Sequence, residues 1–151
     1  CAMSVAGLRR EREFTVAFGF TADDAARTQP ILVGGRYGRW LQIYIEDGRL
    51  LLRFNNSETE LSTNVDIDSG VEYSLCLSVD TPRSVVGLTV AGHGRYQYEL
   101  PAGFAWNRSP GEDLVLLPQD WSRGRGFRGS LHWLAAQNGW RELDEMVRLV
   151  E

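Results

Sequence analysis

Apolar and polar residues alternate with a period of two in two runs of the chain, which is typical of half-buried β-strands. In the first such run the apolar positions are Phe14, Val16, Phe18 and Phe20. The clearest run covers residues 71–79, where every odd-numbered position is apolar. Further apolar runs lie at 31–33, 40–45, 50–54, 85–90, 96–100, 114–117 and 127–135, with a weaker one at 59–62.

Turn sequences separate these runs about every 8–12 residues. Asp47-Gly48 supplies the positive φ angles of a tight hairpin, and Gly92-His93-Gly94 separates two further runs. About ten short strands without intervening helices predict an antiparallel β-sandwich or barrel. Residues 1–151 are expected to form one domain, because the chain length suits a single core.

The period changes at the end of the chain. Leu143, Met146, Val147 and Val150 fall at the i, i+3, i+4 and i+7 spacing of a short helix. Arg141 and Glu145 are spaced to pair along its outer side.

Charge and composition exclude several classes of function. The 16 basic residues are all arginine, the acidic residues number 20, and the net charge is −4. This balance argues against nucleic-acid binding, which needs a basic surface. The absence of lysine excludes Schiff-base and P-loop chemistry. No apolar run reaches the roughly 18 residues of a membrane span.

The two cysteines leave an alternative open. Cys1 and Cys76 can form a disulfide only if the N-terminus crosses the strand that holds Cys76. Cys1 is either an arbitrary cut from a longer protein, the favoured interpretation, or the acylated first residue of a bacterial lipoprotein.

Four stretches carry a family resemblance. They are Glu13–Phe18, Asp47–Leu50 followed by Leu52, Leu88–Gly92, and Phe127–Leu131 taken with Glu142–Met146. In this order they resemble the LamG-like, concanavalin A-like lectin and glucanase domain in its bacterial LamG-type form, a part of larger envelope proteins. The resemblance implies an all-β antiparallel jelly-roll β-sandwich with a short C-terminal helix. It also implies an extracytoplasmic location, at the cell surface, in the periplasm or secreted.

Tryptophan and arginine in the loops indicate where a ligand would bind. Sugar rings stack on aromatic faces, while arginine donates hydrogen bonds to hydroxyl groups. The candidate ligand-binding residues are Trp121, Arg123, Arg125, Tyr37, Arg39, Trp40 and Trp106. For Trp40 and Trp106 the favoured interpretation is different: they are core residues that fill the ends of the sandwich. Arg123 and Arg125 have two alternative roles: they contact an acidic polymer, or they are only charged, water-exposed residues of a loop.

The acidic residues and histidines that could act in catalysis are better explained as residues of turns and exposed surfaces. Asp66 and Asp68 lie beside a turn, Glu142 and Glu145 lie on the exposed side of the helix, and no convincing pair of acids remains. His93 is expected at an exposed turn and His132 on a sheet face.

Calcium is the one cofactor that the resemblance brings into consideration, because relatives of this fold hold calcium at the rim. The loop and strand-end aspartates that would serve as ligands are Asp23, Asp24, Asp66, Asp68, Asp80, Asp113 and Asp120. Turn formation is the favoured role for them. Ala91 also stands where the family has aspartate, which weakens the expectation of a metal site.

The sequence therefore predicts a non-catalytic binding module that recognises a glycan or another extracytoplasmic surface through rim loops. The first alternative is a structural or protein-interaction module of a larger envelope protein. The second is a glycoside hydrolase-like enzyme, which needs two carboxyl groups about 5–9.5 Å apart.

Overall fold

A computed structural model describes residues 3–35, 39–55, 59–107, 114–119 and 126–151. Eleven strands and one short helix account for the regular structure of these residues. The strands are β1 (Met3–Val5), β2 (Glu13–Ala22), β3 (Gln29–Gly34), β4 (Leu41–Glu46), β5 (Arg49–Phe54), β6 (Thr59–Asp66), β7 (Glu72–Asp80), β8 (Val85–Val90), β9 (Gly94–Glu99), β10 (Leu114–Leu116) and β11 (Gly129–Asn138); the helix is α1 (Leu143–Arg148). The all-β class with a C-terminal helix is confirmed, and the fold is an antiparallel jelly-roll β-sandwich.

The chain divides into two compact units, and the first holds a six-stranded antiparallel sheet. Its strand order is β1-β10-β3-β4-β5-β6. The predicted hairpin joins β4 to β5, with Glu46 opposite Arg49. Asp47 and Gly48 have φ angles of 51° and 77°, the left-handed pair that a two-residue hairpin loop requires.

The second unit holds most of a five-stranded sheet with the order β11-β2-β7-β8-β9. Strands β7 and β8 pair in antiparallel register, with Leu77 opposite Leu88. The predicted glycine turn returns the chain into β9, so that Val90 faces Gly94.

Strand β2 is buried on both faces. Phe14, Phe18 and Phe20 occupy one face, while Thr15 and Ala17 occupy the other, and all five are fully buried. The second face is buried because α1 contributes Met146 to a cluster with Ala17, Cys76 and Ala135, against which Trp133 and Leu143 pack. For the same reason Cys76 and Ser78 are buried, although they lie on the more polar face of β7.

Helix α1 is confirmed, but its predicted surface pair is wrong. The Glu145 side chain accepts the backbone N–H of Glu142 in a capping box, and Arg141 Nε donates to Gln137 Oε1. The helix ends at Arg148, so Val150 lies beyond it and is 45% exposed.

A hydrogen-bonded group that we call the helix latch fixes the chain just before α1. Thr15 Oγ1 donates to Gly139 O at 2.7 Å and accepts the Arg141 N–H at 2.9 Å. Ser78 Oγ donates to Arg141 O at 2.6 Å. Trp140 completes the latch, because its ring lies over Gly87 and its Nε1 donates to Glu142 Oε1 at 3.3 Å.

Candidate functional site

One end of the first unit carries an aromatic cluster that includes three residues expected to bind a ligand. It lies where β4 begins and β5 ends. We call it the aromatic rim, and its members are Arg39, Trp40, Phe54, Asn55, Trp106 and Asn107.

Three rings form the centre of the aromatic rim. Trp40 is only 1% exposed, and Trp106 meets it edge to face, with ring centroids 5.0 Å apart and an interplanar angle of 76°. Trp106 also packs on Phe54 at 5.6 Å. Gly34 provides the space for Trp40, because a Cβ there would lie 2.5 Å from Cε2 of the indole. Trp106 is therefore the partly exposed outer ring of a cluster whose inner rings belong to the core.

Hydrogen bonds hold the backbone next to Trp106. The Asn107 N–H donates to Asn55 Oδ1 at 2.8 Å, and Asn107 Nδ2 donates to the Arg39 carbonyl at 3.4 Å. The Asn55 N–H in turn donates to the Trp40 carbonyl at 3.1 Å. These bonds fix the position of Trp106 relative to Arg39, whose side chain is exposed.

The structure describes only three of the seven predicted ligand-binding residues. The structure brings Arg39, Trp40 and Trp106 together. Trp40 is a core residue, as the favoured interpretation held. Because its ring is buried, it has no face on which a sugar could stack, and listing it as a ligand-binding candidate was wrong. The other four candidates, Tyr37, Trp121, Arg123 and Arg125, lie outside the described residues.

Sequence reasoning missed Phe54, Asn55 and Asn107 as parts of this site. Asn55 was recognisable only as a turn residue, and its φ of 52° agrees with that role. Nothing in the local sequence connects it with Asn107, which joins it through the fold. A second group, Arg9, Arg12 and Arg83, was missed for the same reason, and its only signal was the run of arginines before β2.

The acids considered for catalysis have structural partners. Asp66 lies at the end of β6, and its Oδ1 is 3.9 Å from Arg49 Nε. Glu142 Oε1 lies 2.6 Å from Arg95 Nη2, and Glu145 caps the helix. These contacts account for the acids that sequence reasoning singled out beside α1.

The histidines and the cysteine behave as ordinary structural residues. His93 is exposed at its turn, and the centroid of its ring lies 5.3 Å from that of Tyr73. His132 is exposed on β11. Cys76 is a free, buried thiol. Burial raises its pKa to about 11, so the thiol stays protonated and is a poor nucleophile.

The described aspartates are spread over separate turns and strand ends. Among the residues described, no group of three or more His, Cys, Asp or Glu side chains is placed to hold an ion. Asp24 Oδ1 instead accepts the Ala26 N–H, and Asp80 Oδ1 accepts the Arg83 N–H. Asp113 and Asp120 lie outside the described residues. A bound calcium therefore stays a prediction from the resemblance alone.

No protein-family model and no curated protein sequence matches this chain. Solved structures do match its fold. The CBM40 module of a Ruminococcus gnavus IT-sialidase, bound to α2,3 sialyllactose, aligns with a TM-score of 0.66 at 14% identity, over 93% of this chain and 83% of that one. A putative carbohydrate-binding protein from Bacteroides ovatus aligns with a TM-score of 0.68 at 14% identity, over 89% of this chain and 39% of that one.

Mouse laminin α1 domains LG4-5 align with a TM-score of 0.64 at 10% identity, over 95% of this chain and 40% of that one. In the described part of the chain, no helix has the length and apolar character to cross a membrane. At these identities the comparisons concern the fold alone, which is the jelly-roll sandwich shared by carbohydrate-binding modules and laminin G-like domains.

Proposed function

We propose that this chain is a non-catalytic, extracytoplasmic carbohydrate-binding module that binds a glycan at the aromatic rim. The observation that carries the proposal is Trp106, a partly exposed indole supported by Trp40 and Phe54. A rigid aromatic ring in a loop beside the ends of two strands suits the apolar C–H face of a sugar. The exposed Arg39 adds a donor for sugar hydroxyl or carboxylate oxygens.

The supporting rings matter because ordering a flexible side chain on binding weakens affinity. Here the packing of Trp106 on Trp40 and the hydrogen bonds of Asn107 already restrict the indole before a ligand arrives. Structural likeness to carbohydrate-binding modules, one of them bound to sialyllactose, supports the same class of ligand. Sialyllactose carries a carboxylate, and Arg39 is the residue of this rim that would meet such a group.

A glycan array with the full chain is the first test, followed by affinity measurements on the best ligand and on lactose with and without sialic acid. We expect Trp106→Ala to weaken binding at least tenfold and Trp106→Phe, which keeps a ring, to weaken it less. Phe104→Ala is the matched control, because Phe104 is another partly exposed loop aromatic two residues away.

Removing the indole also uncovers Trp40, so thermal melting must accompany each variant. Arg39→Gln tests the polar side of the rim while keeping Trp40, Phe54 and Trp106 themselves, and we expect it to weaken binding several-fold. If the protein binds no glycan on the array, or if Phe104→Ala reduces affinity as strongly as Trp106→Ala, the proposal is wrong.

A protein-interaction module is the alternative that one observation favours. Leu149 and Val150 follow α1 directly, and these residues are 58% and 45% exposed. Adjacent exposed apolar residues are candidates for contact with a neighbouring domain. A glycan array without hits, together with self-association that Leu149→Ser abolishes, would favour this alternative.

A further inference from the structure

Three arginines line an open depression in the second unit. Its volume is about 680 Å³. We call it the arginine depression, and its lining includes Arg9, Arg12, Glu13, Arg83 and Asn138. They come from three separate segments: the chain leading into β2 with the first residue of that strand, the turn between β7 and β8, and the end of β11.

Hydrogen bonds donated by backbone N–H groups tie these segments together. The Arg9 N–H donates to Asn138 Oδ1 at 2.7 Å, and the Arg12 N–H donates to the Arg9 carbonyl at 3.0 Å. The Thr81 N–H then donates to the Arg12 carbonyl at 3.1 Å, which joins the β7–β8 turn to the segment before β2. The arginine side chains therefore extend from backbone positions that the fold fixes.

The charges in the depression are unevenly balanced. Asp80 is buried and lies 3.7 Å from Arg83 Nε, while its other oxygen accepts the Arg83 N–H. Arg9 and Arg12 are exposed, and neither side chain pairs with an acid among the residues described. Two guanidinium groups without a carboxylate partner thus face one open depression in a chain whose net charge is −4.

We propose that the arginine depression binds the oxyanion groups, carboxylate or sulfate, of an acidic polysaccharide. Guanidinium groups bind such oxyanions with paired hydrogen bonds, which lysine does not offer. The open shape suits a polymer that passes across the surface better than an enclosed small ion. The Glu13 carboxylate adds an acceptor for the sugar hydroxyl groups beside the oxyanion.

This inference does not rest on the aromatic rim. The depression is lined by residues of the second unit alone, and its ligand chemistry is electrostatic rather than aromatic. Two separate variants therefore distinguish the failure of one proposal from the failure of the other.

The experiment measures binding of the full chain to polygalacturonate, which carries carboxylates, to heparin, which carries sulfates, and to neutral dextran. We expect binding to at least one acidic polymer, none to dextran, and weaker binding as salt rises. The double variant Arg9→Gln/Arg12→Gln should lower affinity for the acidic polymer at least tenfold. Glu13→Gln, which removes a negative charge but keeps an acceptor, should bind equally well or more tightly.

The matched control is Arg49→Gln/Arg148→Gln, which changes the net charge by the same amount at two exposed arginines elsewhere. It should stay within twofold of the unaltered protein. Trp106→Ala should keep its affinity for the acidic polymer, whereas Arg9→Gln/Arg12→Gln should keep any affinity for a neutral glycan.

Several outcomes would overturn the inference. They are no binding to either acidic polymer, equal losses in the double variant and its control, and binding only to inorganic sulfate or to anionic phospholipid vesicles. Arg9 and Arg12 have exposed side chains, and the hydrogen bonds that join them to Asn138 and Thr81 use only their backbone atoms, so the variants should melt within a few degrees of the unaltered protein.

Discussion

The aromatic rim and the helix latch both place a partly exposed tryptophan beside polar residues, yet the two rings are held differently. In the latch, Trp140 lies over Gly87 and directs its indole N–H to Glu142. In the rim, Trp106 packs edge to face on Trp40 and against Phe54. The latch ring serves to fasten α1, whereas the rim ring is supported from below and keeps an outer part exposed. The residues on which a loop tryptophan packs therefore decide whether it fastens a helix or supports a binding surface.

The strongest test of this comparison adds a methyl group beneath each ring. A Cβ at Gly34 would lie 2.5 Å from the buried Trp40, and one at Gly87 would lie 2.8 Å from Cζ2 of the partly exposed Trp140. We expect Gly34→Ala to destabilise the protein by about 3 kcal/mol and Gly87→Ala by about 1 kcal/mol, because only the exposed ring is able to shift outward.

Urea denaturation of both variants measures these losses. Gly34→Ala should also weaken glycan binding at the rim, because displacing Trp40 displaces Trp106. Equal destabilisation of the two variants would contradict the distinction between a ring buried in the core and a ring that fastens the helix.

The second prediction removes the hydroxyl at the centre of the helix latch. Thr15 Oγ1 donates to the Gly139 carbonyl and accepts the Arg141 N–H. Thr15→Val keeps the shape but leaves these backbone groups unpaired in a part-buried site, which should lower the free energy of unfolding by about 2 kcal/mol. Binding at the aromatic rim should not change, because the latch lies in the second unit and shares no residue with the rim.

Sequence patterns predicted the parts of this fold that depend on local chemistry. The Asp47-Gly48 hairpin and α1 were predicted because turn angles and helical spacing are local properties. Strand β1 was missed because Met3–Val5 is too short to show a period. The burial of Cys76 and Ser78 was missed because alternation along β7 does not reveal what covers its second face.

The candidate sites were harder to predict for a related reason. Composition identified Trp106 as a loop tryptophan, but not that Trp40 and Phe54 support it. Arg12 and Arg83 are far apart in sequence and meet only because the β7–β8 turn is bonded to the segment before β2. Sites assembled from several loops have no signature in one stretch of sequence.

The third prediction concerns pH and the cluster beneath α1. Burial raises the pKa of Cys76 from 9.0 to about 11, so the folded state holds the proton more tightly than the unfolded chain does. Stability from this group is complete below pH 9 and is lost as pH rises toward 11, by about 1 kcal/mol between pH 8 and pH 10.

Denaturation at each pH measures the loss, with Cys76→Ala as the control. The variant should be less stable overall because it leaves a cavity, but its stability should fall less steeply over that interval. Parallel curves for the two proteins would show that Cys76 does not titrate as its burial requires.

The smallest expected effect tests the outer side of the latch. Arg95 Nη2 lies 2.6 Å from Glu142 Oε1, but the two side chains are 58% and 38% exposed, so water and salt screen the pair. We expect Arg95→Gln to lower the free energy of unfolding by only about 0.5 kcal/mol, and the difference to shrink in 1 M NaCl. Arg148→Gln, which breaks the looser 3.7 Å contact with Asp144, should cost no more than that. A loss as large as that of Thr15→Val would mean that the exposed ion pair, and not the buried hydroxyl, fastens the helix.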